Sequence, residues 1–377
     1  MNERSIAAAL LGAVLPWASQ AQDRREEPRE VYRKPVEVTP EAQRAIERGL
    51  RFLSTRQERR GEYKGAYQDG IGRKVNHRYL AHQGYHVGVT GLVGMAFLSN
   101  GSTPGRGPYG EQVQGCVDFI LRTIKPNGFA THDHSRMYSH AFATLFMAEV
   151  YGMAPSARVR KGLRRMVDLI VSSQNEQGGW RYMPAAKDSD LSITVCQVQA
   201  LRAARNVGVR VPKETIDAAI RYVKRSYIRQ STSFQHVPGG FWYQVYENFP
   251  LRPSRTSFAL TAAGVTALYG AGVYEGPEIR GGLRYLFDPR NRPAPSGMRQ
   301  TFDYFYGHYY AIQAFFQAGD AGPVPYWSRW YPRIRDELVA GQFADGRWQD
   351  LVGPNYATAM ACIILQIPYR YLPIFER

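Results

Sequence analysis

Two aspartates stand at the start of a predicted helix, in the stretch KDSDLSITVCQVQAL. Asp188 and Asp190 directly precede a mostly apolar run that begins at Leu191. A carboxyl group held beside an apolar surface can give up or take a proton in a reaction. At the N-cap of a helix, the same group accepts hydrogen bonds from the backbone N–H groups of the first turn. The position favours a cap at Asp190 and leaves a chemical role for the pair open.

Histidines and tyrosines supply further titratable groups. His140 follows Tyr138 in MYSHAF, and His308 lies in YFYGHYY, each at the start of a predicted apolar helix. A proton-transfer group and a hydrogen-bonded core residue both fit such positions. The loops THDHSRMYSH and NHRYLAHQGYH hold more histidines. Their spacing is not diagnostic of a metal site, so we predict neither a metal nor a cofactor.

A recurring pattern organises the chain that must position these groups. Gln57, Gln174 and Gln342 each follow an apolar helical stretch and precede a Gly-x-aromatic triplet after three residues. The three triplets are Gly61-x-Tyr63, Gly178-x-Trp180 and Gly346-x-Trp348. Three further copies are degraded, and in one of them we place the triplet at Gly240-x-Trp242. Six units of roughly fifty residues indicate a repeat architecture.

Each unit has a second helix after its triplet, and these second helices differ from the first ones. They are rich in Ala and Gly and nearly all apolar, whereas the first helices carry most of the Lys and Arg. That difference predicts a buried inner layer and an amphipathic outer layer. We therefore expect twelve helices in six pairs that close into a ring, with the starts of the inner helices gathered at one mouth.

The Gln-x3-Gly-x-Trp units resemble the repeats of the squalene–hopene cyclase and protein prenyltransferase superfamily, in particular its exported "prenyltransferase and squalene oxidase repeat" proteins. The similarity covers roughly residues 42 to 370. It implies an all-α (α/α)6 toroid, with inner and outer helix rings around a central cavity. It also implies that the Gln and Trp residues of the units cap and staple outer helices.

The resemblance suggests roles for particular residues. Class II terpene cyclases protonate an alkene from an Asp-x-Asp-Asp motif, and DSDLS keeps the first two acids but has Leu191 in place of the third. By motif position Asp190 is the proton donor. The catalytic candidates are Asp190, Asp188 and His140, and the cavity-lining candidates are His86, Tyr138, Thr194, Tyr306, His308 and Tyr356. The zinc ligands of the protein prenyltransferases have no counterpart in the chain.

The termini and charge predict a location. Residues 1–21 read as a signal peptide, 22–41 as a flexible charged leader and 42–377 as the toroid, which implies export to the periplasm or the medium. Cys116, Cys196 and Cys362 form no pairing pattern and read as buried thiols. The net charge of +16 has two interpretations: Lys and Arg that coat the outward faces of helices, which we favour, or a surface for an anionic lipid or an acidic polysaccharide. Nucleic acid is not expected for an exported protein.

Three functions remain open on the sequence. The first is binding or transformation of an isoprenoid or other apolar ligand in the central cavity, as a cyclase-like enzyme. The second is a binding or scaffold toroid without catalysis. The third is an enzyme that acts on an acidic polysaccharide. Two irregular insertions, 229–255 and 287–303, are long enough to cover the mouth in any of these cases.

Overall fold

The computed structural model describes residues 38–375 except 76–77, 134, 231–236, 247–253, 300 and 302. The predicted signal peptide and nearly all of the predicted leader lie outside these residues. Within them are twelve α-helices: α1 Pro40–Arg56, α2 Val87–Leu98, α3 Gly110–Thr123, α4 Met137–Met153, α5 Ala157–Ser172, α6 Leu191–Asn206, α7 Lys213–Arg225, α8 Phe258–Gly270, α9 Pro277–Phe287, α10 Asp303–Ala318, α11 Tyr326–Gly341 and α12 Pro354–Gln366.

The even-numbered helices form an inner ring. They contact one another in the order α2, α4, α6, α8, α10 and α12, and α12 returns to contact α2. The odd-numbered helices pack outside this ring, for example α3 against α2 and α5 against α4. The structure is therefore an (α/α)6 toroid, as predicted.

Composition decides which helix goes to which ring. All twelve residues of α2, from Val87 to Leu98, are buried, and so are all thirteen of α8. The outer helix α5 instead buries one stripe that includes Val159, Leu163 and Ile170, while its Arg and Lys face solvent. A helix apolar on every side needs neighbours on every side, whereas an amphipathic helix needs them on one.

The recurring glutamines join neighbouring outer helices. Gln174 Nε2 donates to the carbonyl of Gly178 at 2.9 Å and to that of Thr215 on α7 at 2.9 Å. Gln57 makes the corresponding bond to Gln112 on α3 at 2.8 Å. Gln342 Nε2 donates to Ala45 on α1 at 2.8 Å, and so links the last outer helix to the first. The predicted structural role of these glutamines is confirmed.

The recurring tryptophans fix each turn to the helix before it. Trp180 Nε1 donates to the carbonyl of Ile170 at 2.7 Å, and Trp348 Nε1 donates to that of Leu338 at 2.8 Å. Both rings are buried. A buried indole N–H needs such an acceptor, so the tryptophan both fills space and holds the chain direction after the outer helix.

Backbone conformation and close contact explain why the first residue of each triplet is Gly. Gly178 has φ +85°, and a Cβ there would lie 2.5 Å from the carbonyl oxygen of Ala218 on the next outer helix. Gly65 has the same conformation and would clash with Gly115 in the same way. Gly61 meets nothing within 4 Å. The first turn is thus Gly65-Ala66-Tyr67, and the prediction of Gly61-x-Tyr63 was wrong.

The fourth turn also differs from the prediction. Gly239 has φ +91° and faces the carbonyl oxygen of Gly281 on α9, so the triplet is Gly239-Gly240-Phe241 and not Gly240-x-Trp242. In both misplaced units a second Gly close by offered an alternative frame. Contact with the next outer helix, which the spacing alone does not reveal, distinguishes the two.

Aromatic side chains from opposite inner helices meet across the axis of the ring. The Tyr138 ring on α4 lies 6.2 Å from that of Tyr306 on α10, and the Phe142 ring lies 6.1 Å from that of Tyr309. α4 and α10 are three positions apart in a ring of six, so these contacts cross its full width. Side chains of this protein therefore occupy the axis at two levels.

Two further features complete the fold. An antiparallel hairpin of β1 (Gln68–Val75) and β2 (Arg78–Tyr85) lies between the first turn and α2, with Gln68 opposite Tyr85. The sequence analysis did not predict it. Among the described residues, no helix combines the length and apolarity needed to cross a bilayer.

Ring closure through Gln342 generates a testable prediction. Gln342→Ala removes the bonds to Ala45 and Gly346, and Gln174→Ala removes the equivalent bonds inside the ring. We expect each variant to lower the free energy of unfolding by about 1–3 kcal/mol in urea denaturation, because buried carbonyl groups lose their donors. A loss in Gln174→Ala alone would mean that the ring does not depend on the junction between α11 and α1.

Candidate functional site

Asp190 caps α6 and is fully buried. Its Oδ1 accepts hydrogen bonds from the Ile193 backbone N–H at 2.8 Å and from Ser192 Oγ at 2.6 Å. Its Oδ2 accepts from the Tyr243 hydroxyl at 3.3 Å and lies 3.5 Å from Arg181 Nη1. The capping role predicted for Asp190 is confirmed.

These contacts determine what the carboxyl group can do. Burial raises the pKa of Asp190, while the bonds from Ser192 and Ile193 and the charge of Arg181 act against that rise. Both oxygens are used, and none of the residue is exposed to solvent. A proton donor must reach its acceptor directly or through one water. Catalysis by Asp190 stays a prediction, and the geometry favours a role in positioning its neighbours.

Tyrosine hydroxyls extend from Asp190 to the mouth of the ring. Tyr138 donates to Ser192 Oγ, which in turn donates to Asp190. On the other carboxyl oxygen, Tyr243 bonds to Asp190 and shares a 2.7 Å contact with the hydroxyl of Tyr182. Tyr138, Tyr182 and Tyr243 are each partly exposed. The buried acid thus holds three aromatic side chains at fixed positions on the surface of the mouth.

Tyr306 joins this cluster from the opposite side of the ring. Its hydroxyl donates to the backbone carbonyl of Ser192 at 3.0 Å, and it is also partly exposed. Below it, the thiol of Cys196 lies 3.2 Å from the Tyr310 hydroxyl. Burial raises the pKa of Cys196 to about 12, so this sulfur is an inert core group. All three cysteines are buried and free, as predicted.

Arginines surround the tyrosines. The guanidinium of Arg136 lies 5.6 Å from the ring centre of Tyr182, and that of Arg181 lies 5.0 Å from the same ring. Arg255 lies 4.6 Å from the ring centre of Tyr243. Arg136 and Arg255 are exposed. We call Tyr138, Tyr182, Tyr243, Tyr306, Arg136, Arg181 and Arg255 the mouth cluster. It presents flat rings, hydroxyl groups and positive charges together.

Asp188 lies outside the hydrogen-bonded part of the cluster. Its side chain is 58% exposed, and its Oδ2 is 3.5 Å from Arg181 Nε and 3.3 Å from Gln244 Nε2. Exposed ion pairs of this kind contribute little to stability. Asp188 and Asp190 therefore differ fully in environment, although Arg181 lies near both.

His140 and Thr194 serve the turns of the toroid. His140 Nδ1 accepts the backbone N–H of Ala130 at 3.1 Å, and its Nε2 lies 3.1 Å from the carbonyl of Met166. Thr194 Oγ1 accepts the N–H of Trp180 at 3.1 Å. The same bond recurs at Thr90, Thr261 and Thr358, with Tyr67, Phe241 and Trp348 as donors. With His140, which accepts the N–H of Ala130, this position near the start of an inner helix is a structural acceptor in five units.

Other predicted cavity residues also lie near the starts of the inner helices. His86 precedes α2 and is buried. His308 on α10 is buried among aromatic rings, with Tyr304 at 4.6 Å and Phe258 at 5.3 Å. Tyr356 on α12 is 8% exposed. Of the predicted residues, the structure brings Asp190, Tyr138, Tyr306 and Thr194 into one hydrogen-bonded network, since Thr194 Oγ1 donates to the Asp190 carbonyl at 2.7 Å, and Asp188 adjoins this network through Arg181.

The sequence analysis missed residues that follow each turn by two positions. Asp69 follows the Tyr67 turn and accepts the backbone N–H groups of Asn355 and Tyr356 at 3.2 and 2.6 Å, so it caps α12. Asp350 holds the same place after Trp348, and Tyr182 and Tyr243 hold it in the third and fourth units. Counting two residues on from each turn would have revealed this set.

The predicted loop histidines do not form a metal site in the part of the chain that the structure describes. His132 Nδ1 lies 3.4 Å from Asp133 Oδ1, and no three His, Cys, Asp or Glu residues among the described ones could hold an ion together. His77 and His134 fall outside the described residues.

Comparison with known proteins identifies the fold class. No family model and no curated protein matches the chain. Among solved structures, the GH76A α-1,6-mannanase of Salegentibacter sp. HEL1_6 is similar with a TM-score of 0.61 and 8% identity, over 88% of this chain and 99% of that one.

Two other enzymes share the architecture. The type II terpene cyclase MstE from Scytonema gives a TM-score of 0.55 and 14% identity, over 89% of this chain and 100% of that one. A novel α-amylase from Clostridium perfringens gives 0.58 and 12%, over 85% and 97%. At these identities the similarity shows the toroid fold alone. The fold and the mouth cluster thus define an (α/α)6 toroid with an aromatic and basic mouth.

A structural role for His140 predicts a loss of stability on replacement. Burial lowers the pKa of His140 to about 4. The unfolded chain binds the proton nearer pH 6.5, so stability falls as the pH drops from 6.5 through 4. His140→Leu leaves the buried Ala130 N–H unpaired and removes the contact with the Met166 carbonyl, and we expect it to lower the free energy of unfolding by about 2 kcal/mol or more at pH 7. His140→Gln, which keeps an acceptor and a donor, is the control, and unchanged stability in His140→Leu would contradict the assignment.

For Asp350 we predict that stability depends on pH with the opposite sign to that for His140. Burial raises its pKa to about 7, and its Oδ2 has no hydrogen-bond partner among the described residues. The folded protein keeps a proton that the unfolded chain releases between pH 4 and 7, so unfolding free energy falls as pH rises through that window. We expect Asp350→Asn to stabilise the protein by at least about 1 kcal/mol more at pH 8 than at pH 4.5. Equal effects at both pH values in thermal denaturation would refute the assignment.

Proposed function

We propose that this toroid binds an acidic saccharide at its mouth without transforming it. The observation that carries the proposal is the mouth cluster: the hydrogen-bonded pair of Tyr182 and Tyr243, with the guanidinium groups of Arg136, Arg181 and Arg255 against their rings. Flat rings pack against the C–H faces of sugars, and hydroxyl groups bond to sugar hydroxyls. Arginine pairs with carboxylates in a two-pronged geometry.

Charge supports an acidic ligand. The chain carries 48 Lys and Arg against 32 Asp and Glu. The two nearby acids, buried Asp190 and exposed Asp188, both lie 3.5 Å from Arg181 and offset its charge, whereas neither is paired with the exposed guanidinium groups of Arg136 and Arg255. A positive, partly apolar surface attracts anionic polymers from solution. The predicted export would bring the protein to the compartment where such polymers occur.

The filled axis argues against an isoprenoid ligand inside the ring. An extended polyprenyl chain along the axis would have to displace the contacts of Tyr138 with Tyr306 and of Phe142 with Tyr309. Each aromatic pair contributes roughly 0.5–1.5 kcal/mol beyond its buried area. The cyclase-like hypothesis also needs an acid that faces a ligand, and Asp190 faces its own hydrogen-bond donors.

Two observations favour binding over catalysis. Burial raises the pKa of Tyr138 and of Tyr243, and the carboxylate of Asp190 adds to both shifts, so these hydroxyls stay protonated at neutral pH. Their protons are already donated to Ser192 and to Asp190, so toward a ligand these hydroxyls can accept hydrogen bonds but cannot act as phenolate bases. The similar mannanase is described as inactive when two neighbouring aspartates are changed to asparagine, whereas this sequence contains no two adjacent aspartates.

The structural relatives fit a saccharide ligand. The inactive mannanase variant was solved in complex with α-1,6-mannotriose, so a ring of this architecture can hold an oligosaccharide. That ligand is neutral, and the arginines of the mouth cluster are the reason to expect an acidic one here.

Calorimetry with defined oligosaccharides tests the proposal. We expect oligogalacturonate or oligomannuronate to bind, neutral mannotetraose to bind at least about 10-fold more weakly, and added salt to weaken the acidic ligand. Arg255→Gln should weaken binding of the acidic ligand severalfold, because an exposed guanidinium of the cluster is lost. The matched control is Arg210→Gln, which removes one exposed charge from the loop before α7.

Two outcomes would overturn the proposal. The first is that neither acidic nor neutral saccharides bind. The second is that Arg255→Gln and Arg210→Gln reduce binding equally, which would indicate attraction by net charge alone. Native mass spectrometry of the purified protein with organic extraction tests the apolar alternative, since a co-purifying isoprenoid would require the axis to open.

A further inference from the structure

A groove of about 560 Å³ lies beside the mouth cluster. One wall is the loop between α3 and α4, with Lys125, Phe129 and His132, and the other includes Met183 from the loop between α5 and α6. Its volume falls within the range of about 300–1,000 Å³ that ligand sites usually have. Apart from Arg136, its lining residues take no part in the mouth cluster.

Arg136 connects the groove to the mouth cluster. It lines the groove and at the same time stacks over the ring of Tyr182. Met183, the neighbour of Tyr182 in sequence, lines the same groove. A ligand that contacts Tyr182 therefore has the groove directly beyond it, with one guanidinium shared between the two places.

The charges that face the groove are mainly positive. Lys125 and Arg136 are both exposed. The acid in the lining, Asp133, is already engaged, since its Oδ2 accepts the Tyr85 backbone N–H at 2.7 Å and its Oδ1 lies 3.4 Å from His132 Nδ1. The groove thus carries two exposed cationic groups and one carboxylate, whose oxygens are engaged by Tyr85 and His132.

The groove also presents apolar surface, because Met183 is 54% exposed, and the buried ring of Phe129 contributes to its lining. Methionine adapts to irregular ligand surfaces because its side chain is unbranched and polarizable. Alternating apolar contact and positive charge matches the C–H faces and carboxylates of successive uronate residues.

Hydrogen bonds join residues 131, 132 and 135 of this wall. Thr131 Oγ1 donates to the Ser135 carbonyl at 2.6 Å, and the Ser135 N–H donates to the His132 carbonyl at 2.9 Å. Asp133 has φ +46°, a conformation that non-glycine residues seldom adopt and that persists where the surroundings enforce it. Because these bonds form without a ligand, less ordering entropy is lost when a ligand binds.

We infer that the groove is a second arm of the binding site, so that the ligand is a polymer that runs from the mouth cluster over Arg136 to Lys125. The inference rests on the proposed function and deepens it, because it fixes the ligand as a chain of several acidic residues. A disaccharide fills the mouth cluster alone, and a longer chain fills both places.

A length series of one acidic oligosaccharide tests the inference. Calorimetry of the full chain with a di- and a hexagalacturonate should show the hexamer binding at least about 10-fold more tightly. Lys125→Gln and Met183→Ala should each remove much of that gain and leave the dimer unchanged. Lys213→Gln, an exposed lysine at the start of α7 with an 83% exposed side chain, is the charge-matched control and should change neither.

The outcomes separate this inference from the proposed function. The groove would not be part of the binding site if dimer and hexamer bound with equal affinity, or if Lys125→Gln and Met183→Ala left the gain of the hexamer intact. Either result would leave binding at the mouth cluster standing. Absence of binding by both oligomers would overturn the proposed function and the groove with it. If Lys213→Gln reduced the affinity gain of the hexamer as much as Lys125→Gln, the gain would come from net charge, and the groove would again not be part of the site.

Discussion

The structure depends on the contact by which each turn glycine lies against the backbone of the next outer helix. Gly65, Gly178 and Gly346 all have positive φ, and a Cβ at each would collide with a carbonyl oxygen of that helix. The glutamine four residues before Gly178 and Gly346 then bridges the turn and the neighbouring helix through one amide group. Because the sixth unit makes this contact with α1, the series of helix pairs has no free end.

The same turns place chemical groups at the mouth. After each turn the chain passes the start of the preceding inner helix: the Tyr182 carbonyl accepts the N–H of Met137 at 3.0 Å, and the Tyr243 carbonyl accepts that of Leu191 at 2.8 Å. Asp69 performs this capping for α12 with its side chain. Helix starts have unpaired N–H groups that need acceptors. The residues that satisfy them are thereby held at the mouth, so capping and positioning are one arrangement.

The fold was predictable because its signals are local and repeated. Three glutamines with Gly-x-aromatic triplets, and the contrast between apolar and basic helices, were enough to give six pairs, two rings and the cap at Asp190. The site was harder to predict, because it joins α4, α6 and α10 with two loops far apart in sequence. Arg181 and Arg255 carry no local signal, and the roles of His140 and Thr194 as acceptors appear only when the turns are superposed in space. Two misplaced triplets, at Gly61 and Gly240, show how a nearby glycine shifts the frame.

Burial of Asp190 determines which groups of the ring can react with or contact a ligand. A carboxyl group that is to protonate an alkene must face its substrate, yet here Ser192, Ile193, Tyr243 and Arg181 occupy both of its oxygens. The aromatic rings that would stabilise a carbocation in a chamber meet each other across the axis instead. Because the acid is buried and aromatic rings fill the axis, the accessible polar groups are those of the mouth cluster, namely its partly exposed tyrosines and the guanidinium groups of Arg136 and Arg255. The proposed function therefore assigns ligand recognition to the mouth and not to an enclosed chamber.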